Sequence, residues 1–135
     1  MTVKQHMSDQ PVYANLGDGL HQTYHRMRER RIRHMPVLDD CGRLSGIISE
    51  RDLLRPGFVD GGPNTSGAFI LDNSVKVSEA MTTRPITLQA DDSIQAALDL
   101  FLKHKFGALP VVNGEEKLVG ILSTVDLLKV LRESL

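Results

Sequence analysis

This chain nearly repeats itself, and that constrains its fold more than any other feature of the sequence. Slid along its own length, it has one register that needs no gap over about fifty residues, and a repeat of that span sets the architecture before any single element is assigned. In that register Val3 meets Val77, Met7 meets Met81, Pro11 meets Pro85 and Asp18 meets Asp92. Further on, Pro36-Val37 meets Pro110-Val111, Leu44 meets Leu118, Gly46-Ile47 meets Gly120-Ile121, and Asp52-Leu53-Leu54 meets Asp126-Leu127-Leu128. The 135 residues therefore read as two small copies, 1–56 and 75–135, joined by 57–74.

Each copy has the same predicted order of elements. Residues 3–7 and 77–81 suit a short opening helix, ended by extended stretches at 11–14 and 85–88, because the residue before each Pro is pushed out of the α region. A longer helix follows. In the second copy Asp92 suits the N-cap with Gln95 three residues on, and Ile94, Ala97, Leu98, Phe101 and Leu102 recur at the helical period as a core stripe. The first copy keeps Leu20, Tyr24 and Met27, but Thr23 and Arg28 interrupt the stripe and Gly17 and Gly19 flank the cap, which predicts the less stable helix.

Apolar strands at 35–38 and 109–112 lead through Asp40-Cys41-Gly42 and Asn113-Gly114-Glu115-Glu116 into strands at 44–49 and 118–123. Each pair predicts a hairpin whose turn Gly supplies a positive φ. Closing helices start at Ser49 and Ser123, the second with Val125, Leu128, Val130 and Leu131 on an apolar side. In the joint, Phe58, Phe69, Ile70 and Leu71 predict packing of its second half, and the Gly-rich 61–67 predicts a mobile tip.

The repeated element with chemical content is Gly46-Ile47-Ile48-Ser49-Glu50-Arg51-Asp52, which returns as Gly120-Ile121-Leu122-Ser123-Thr124-Val125-Asp126. In both, an apolar strand ends on a Ser suited to a helix N-cap, and an Asp falls at the third helical position. That is the pattern of a capping box, with a side-chain acceptor for an orphan N–H and a carboxylate against the positive helix end. The same groups suit a nucleotide. A helix start after a Gly-flanked strand can hold a phosphate with the Ser hydroxyl as a further donor, and an Asp one turn on can accept the paired hydroxyls of a ribose. Two such elements at the same depth of a duplicated unit favour one retained pocket design over two unrelated caps.

Sixteen basic and seventeen acidic residues leave a net charge of −1, so nothing draws the whole molecule to nucleic acid or anionic lipid. No apolar run is long enough for a membrane span or a signal peptide, and the single Cys41 excludes an internal disulfide; the expectation is a cytoplasmic protein without nucleic-acid or membrane partners. The one basic block, from His25 to His34, spreads around a helix as a solvated face, leaving Arg33 and His34 for phosphate and exposed Arg for an acidic protein. His21 and His25 stand at i, i+4 without a third metal ligand, and neither Ser49 nor Ser123 has a repeated His base, so neither metal binding nor catalysis is expected.

With V-x-x-x-M ahead of an x-Pro strand, an apolar residue followed by Pro-Val before a turn, and L-x-G-I-[IL]-S-x-x-D-L-L, all in both copies, the chain resembles a tandem pair of cystathionine-β-synthase (CBS) domains, the Bateman module. The resemblance implies an α+β fold of two β-α-β-β-α repeats related by a pseudo-twofold and packed through their sheets. It also implies clefts between the repeats that bind adenine-containing ligands, and modules that pair into disc-like homodimers. Carried onto this sequence, it places Ser49 and Ser123 at phosphate and Asp52 and Asp126 at the ribose hydroxyls. Tyr13, Thr87, Arg33, His34, Met35, Gly107, Ala108 and Leu109 would border the base.

Arg33, His34 and Arg51 can neutralise phosphate at the first site, where the second has Gly107, Ala108 and Val125. A charged nucleotide is therefore expected at Asp52, and a less charged adenosyl ligand, or none, at Asp126. The expected function is a non-catalytic regulatory module with no required cofactor that binds AMP, ADP or ATP, with S-adenosylmethionine or NAD as further candidates, and acts on an effector protein in trans. The alternative is a ligand-free dimerisation or partner-docking module in which both Ser/Asp elements are caps only.

Overall fold

The computed structural model describes residues 1–55 and 73–135, together with the backbone of two short strands between them. In chain order the elements are a 3-10 turn at Val3–Gln5, β1 (Ala14–Asn15), α1 (Leu20–Arg30), β2 (His34–Leu38), β3 (Leu44–Ser49) and α2 (Glu50–Leu53). An antiparallel ribbon of β4 (Val59–Asp60) and β5 (Ile70–Leu71) follows. The remainder is α3 (Val77–Ala80), β6 (Thr82–Thr83), β7 (Leu88–Gln89), α4 (Ile94–His104), β8 (Ala108–Val112), β9 (Leu118–Ser123) and α5 (Thr124–Ser134), giving an α+β fold. The expectations for 61–67 and for the side chains of Phe58, Phe69, Ile70 and Leu71 lie outside the described residues. No helix among the described residues is long and apolar enough to cross a membrane.

These elements gather into two units, and each unit takes its opening segment from the other sequence copy. The C-terminal unit comprises Met1–Val12, Gly42–Leu44 and Pro85–Leu135; the N-terminal unit comprises Tyr13–Cys41 and Ser45–Arg84. In the C-terminal unit the sheet order is β7-β8-β9, with β7 parallel to β8 through Leu88↔Val111 and β8 antiparallel to β9 through Ala108↔Ser123. Its core joins Val3 from the chain start to Leu88, Ile94, Ala97, Phe101, Leu109, Val111 and Leu122. The first residues are held there by the Val3 N–H on the Asp92 carbonyl at 2.8 Å and the Lys4 N–H on the Ala90 carbonyl at 2.9 Å.

The N-terminal unit repeats the plan with sheet order β1-β2-β3-β6, β1 parallel to β2 through Ala14↔Val37 and β3 antiparallel to β6 through Gly46↔Thr83. Here α3 plays the part of the 3-10 turn, its Val77 N–H bonded to the Asp18 carbonyl at 2.8 Å. Val3 and Val77 are both fully buried, which accounts for the Val of each V-x-x-x-M. The Met explains the strand glycines. A Cβ on Gly120 would lie 2.5 Å from the Met7 sulfur and 2.8 Å from the Ser8 carbonyl, and one on Gly46 would lie 2.6 Å from both the Met81 sulfur and the Thr82 carbonyl. Only a residue without a side chain lets the strands approach this closely.

Several local expectations are corrected. The N-cap of α4 is Ser93, whose Oγ accepts the Ala96 N–H at 3.0 Å. Asp92 instead accepts the Gln89 N–H at 2.8 Å, as its counterpart Asp18 accepts the Asn15 N–H at 2.9 Å, so in both copies this Asp closes the turn ahead of the helix. Thr23 does not weaken the stripe of α1: it is fully buried and its hydroxyl donates to the Gly19 carbonyl at 2.8 Å. Leu102, at 75% exposure, has turned away from the buried face set by Ile94, Ala97 and Phe101. In α5 only Val130 is buried, while Val125, Leu128 and Leu131 face outward. Gly42 has the expected positive φ of 79°, but its counterpart in the second hairpin is Glu116 at 62°, and Gly114 is not left-handed.

Candidate functional site

Both Ser/Asp elements are complete capping boxes. In the N-terminal unit Ser49 Oγ accepts the Asp52 N–H at 3.1 Å and Asp52 Oδ2 accepts the Ser49 N–H at 3.0 Å. In the C-terminal unit the same bonds measure 3.2 and 2.8 Å, and the Ser123 hydroxyl also donates to Asp126 Oδ2 at 3.0 Å. Capping therefore uses one carboxylate oxygen of each Asp. Asp52 Oδ1 has only a long 3.4 Å contact with the Arg55 guanidinium, and Asp126 Oδ1 accepts no hydrogen bond among the described residues. Each half-buried carboxylate keeps an oxygen that can accept from a hydroxyl.

Strand register and backbone bonds set Gly107, Ala108 and Arg33 beside the Ser/Asp helix starts, and leave Thr87 and Tyr13 level with the middle of β8 and β2. In the C-terminal unit Ala108 pairs directly with Ser123, the Thr124 N–H bonds the Gly107 carbonyl at 3.0 Å, and Thr87 immediately precedes the parallel pair Leu88↔Val111. In the N-terminal unit the Glu50 N–H bonds the Arg33 carbonyl at 2.8 Å, fixing the start of β2 beside the start of α2, and Tyr13 precedes Ala14↔Val37. Their exposure differs. Tyr13 is 45% exposed, His34 and Thr87 are half-buried and Arg33 and Arg51 are exposed, whereas Met35, Ala108 and Leu109 have buried side chains. These last three can border a ligand through backbone and strand edge but not through a free side chain.

The two sites differ in charge. Arg33 and Arg51 flank Ser49 without an ion-pair partner among the described residues, while Gly107 and Val125 hold the corresponding places beside Ser123. Burial pushes the His34 imidazole below its ordinary pKa; Asp52 pulls it back up and Arg33 adds to the depression. One participant was not singled out from sequence: Arg55, which reaches Asp52. Arg55 follows Asp52 at i+3, a helical spacing that signals the contact. Elsewhere in the block His25 pairs with Glu29 at 3.5 Å. A concavity of about 420 Å³ opens in the C-terminal unit beside Lys4, Gln89, Asp91, Val112 and Asn113, at the other end of β8 from Ala108 and Ser123.

Residues 3–56 and 77–133 each match the CBS domain. The chain is similar to the uncharacterized protein YlbB of Bacillus subtilis, 29% identical over 126 residues that cover 93% of this chain and 78% of that protein. It is 37% identical over 100 residues to inosine-5'-monophosphate dehydrogenase of Mycobacterium leprae, a match spanning 73% of this chain but 16% of the enzyme. Among solved structures, the CBS domain pair of protein MJ0100 in complex with 5'-methylthioadenosine and S-adenosyl-L-methionine superposes with a TM-score of 0.83 at 21% identity, covering 100% of this chain and 98% of that one. CBSX2 in complex with AMP gives 0.80 at 24% identity, covering 98% and 96%. A duplicated unit, twin Ser/Asp helix starts at matching sheet ends, and a domain match over most of both copies lead to one assignment: the chain belongs to the CBS-domain family, as a tandem CBS pair.

Proposed function

We propose that this protein is a non-catalytic regulatory module that binds an adenine nucleotide at the Ser/Asp helix starts, with AMP, ADP or ATP at the site of Ser49 and Asp52. The observation that carries this reading is the spare oxygen of each capped Asp, which suits a ribose hydroxyl, beside Arg33 and Arg51, which have no side-chain partner among the described residues, in the N-terminal unit. A phosphate there would meet two guanidinium groups and the Ser49 hydroxyl. The Asp126 site, with Gly107, Ala108 and Val125, suits a less charged adenosyl compound. The AMP held by CBSX2 and the two adenosyl compounds held by the MJ0100 pair support the ligand class.

Isothermal titration with AMP, ADP and ATP tests the reading. A hydrogen bond to a charged group contributes about 1.5–3 kcal/mol, so Asp52→Ala is expected to weaken binding about tenfold or more. Arg51→Gln leaves the capping box intact and is expected to weaken ATP more than AMP. Unchanged affinity in both variants would remove this site from nucleotide binding.

A second reading rests on α5. Its outward Val125, Leu128 and Leu131, 54–62% exposed, form an apolar stripe that suits a second copy of the chain, making the module a homodimer with or without ligand. In either reading the response passes to an effector protein.

A further inference from the structure

We propose that the N-terminal unit docks an acidic protein segment on the arginines gathered where α1 ends: Arg30, Arg31, Arg33 and Arg51. The backbone puts them together. α1 stops at Arg30, the left-handed Arg31 turns the chain toward β2 with its N–H on the carbonyls of Met27 and Arg28, and Arg33 is tied to the first residue of α2 by the Glu50 N–H at 2.8 Å. All four side chains are exposed, and none has a side-chain partner among the described residues.

Neighbouring arginines are engaged. Arg26 reaches Asp18 at 3.7 Å and the Tyr13 carbonyl at 2.8 Å, Arg28 lies over the Tyr24 ring at 5.9 Å, and Arg55 meets Asp52 at 3.4 Å. Glu29, the one acid between residues 25 and 34, is beside His25. The negative end of α1 favours cations and so accounts for Arg30 and Arg31; Arg51 stands on the single turn of α2 with Glu50 and Asp52, and pairs with neither.

The fold itself does not require the cluster. The corresponding residues of the C-terminal unit are His104, Lys105, Gly107 and Val125, on the same secondary-structure plan. Guanidinium forks pair with carboxylates two bonds at a time, so a patch of free ones fits a run of Asp and Glu. A short acidic segment suits it better than a polynucleotide. Residues 25–34 carry five Arg against one Glu, which leaves eleven basic and sixteen acidic residues in the rest of the chain, and a long polyanion leaving the patch would meet that net negative charge. Arg33 and Arg51 are also the guanidinium groups of the proposed nucleotide site, so a bound phosphate and the acidic segment would compete for them, whereas Arg30 and Arg31 lie outside that site and are the ones the test changes.

The test is fluorescence anisotropy of the full chain with a fluorescein-labelled oligoglutamate peptide. Binding is expected at low salt and should weaken as NaCl passes about 0.15 M, where the Debye length is about 8 Å. The double variant Arg30→Glu/Arg31→Glu, at exposed positions and checked for folding by its thermal melt, is expected to lose about tenfold in affinity. Lys103→Glu/Lys105→Glu in the C-terminal unit should bind as the wild type does. No peptide binding, equal affinity in the arginine variant, or tighter binding of an oligouridylate of the same charge would overturn the proposal, the last by assigning the patch to nucleic acid.

Discussion

His34 couples the N-terminal site to pH. Its pKa lies below the ordinary 6.5, first because it is buried, with Asp52 opposing and Arg33 reinforcing the shift. The folded chain therefore binds fewer protons here than the unfolded chain does. The contribution of the neutral imidazole is complete above about pH 6.5 and is lost as the pH falls to the folded-state value. Thermal melts across that range should show acid destabilisation that is flattened in His34→Gln. Glu116 offers a second test, because it holds φ at 62° where Gly42 serves in the first hairpin. A left-handed backbone costs a residue with a Cβ about 1–2 kcal/mol, part of which a glycine returns through its freer unfolded chain. Glu116→Gly is expected to stabilise by about 0.5–1 kcal/mol in urea melts. The turn Asn113-Gly114-Glu115-Glu116 offers Gly114 for the positive φ, but the left-handed residue falls two positions later, at Glu116.

At the level of elements, repetition carried the reading. Both hairpins and both Ser/Asp caps follow from local pattern, and the caps form with nearly the same geometry in both units; the parallel pairing of the short first strand comes from the structure. What local pattern did not reveal was the partner of each opening segment. The close fit of Met7 and the Ser8 carbonyl over Gly120 makes a measurable point of this contact. Gly120→Ala places a methyl where backbone already lies, and overpacking of that kind costs about 1–3 kcal/mol. Urea unfolding should show that loss, and adding Met7→Ala should recover only part of it, because the Ser8 carbonyl remains at 2.8 Å from the new Cβ. The helix stripes were legible in period but not in extent: Leu102 fits the spacing and is exposed, while Thr23 breaks the spacing and is buried with its hydroxyl satisfied.

For the whole molecule, the outward apolar side of α5 predicts self-association. Leu128→Lys, at a position 62% exposed, should remove a dimer in sedimentation or light scattering while leaving the far-UV circular dichroism spectrum unchanged; an unaltered mass would discard this face as the contact. The sequence by itself determined that the chain is duplicated, that each copy holds a strand pair ending in a Ser/Asp helix start, and that the charge beside the two starts is unequal. Periodicity, turn chemistry and capping act over a few residues, and their marks are printed in the order of the chain. Only the tertiary structure decided that residues 1–12 belong with the second copy and 77–84 with the first. V-x-x-x-M and its Gly are the same in both copies, so local chemistry is indifferent between the two pairings, and the choice rests on which long-range strand contacts close around each core. Tertiary placement also separated the arginines that have partners among the described residues from those that have none there, because a guanidinium's surroundings are set by the fold as well as by its neighbours in sequence.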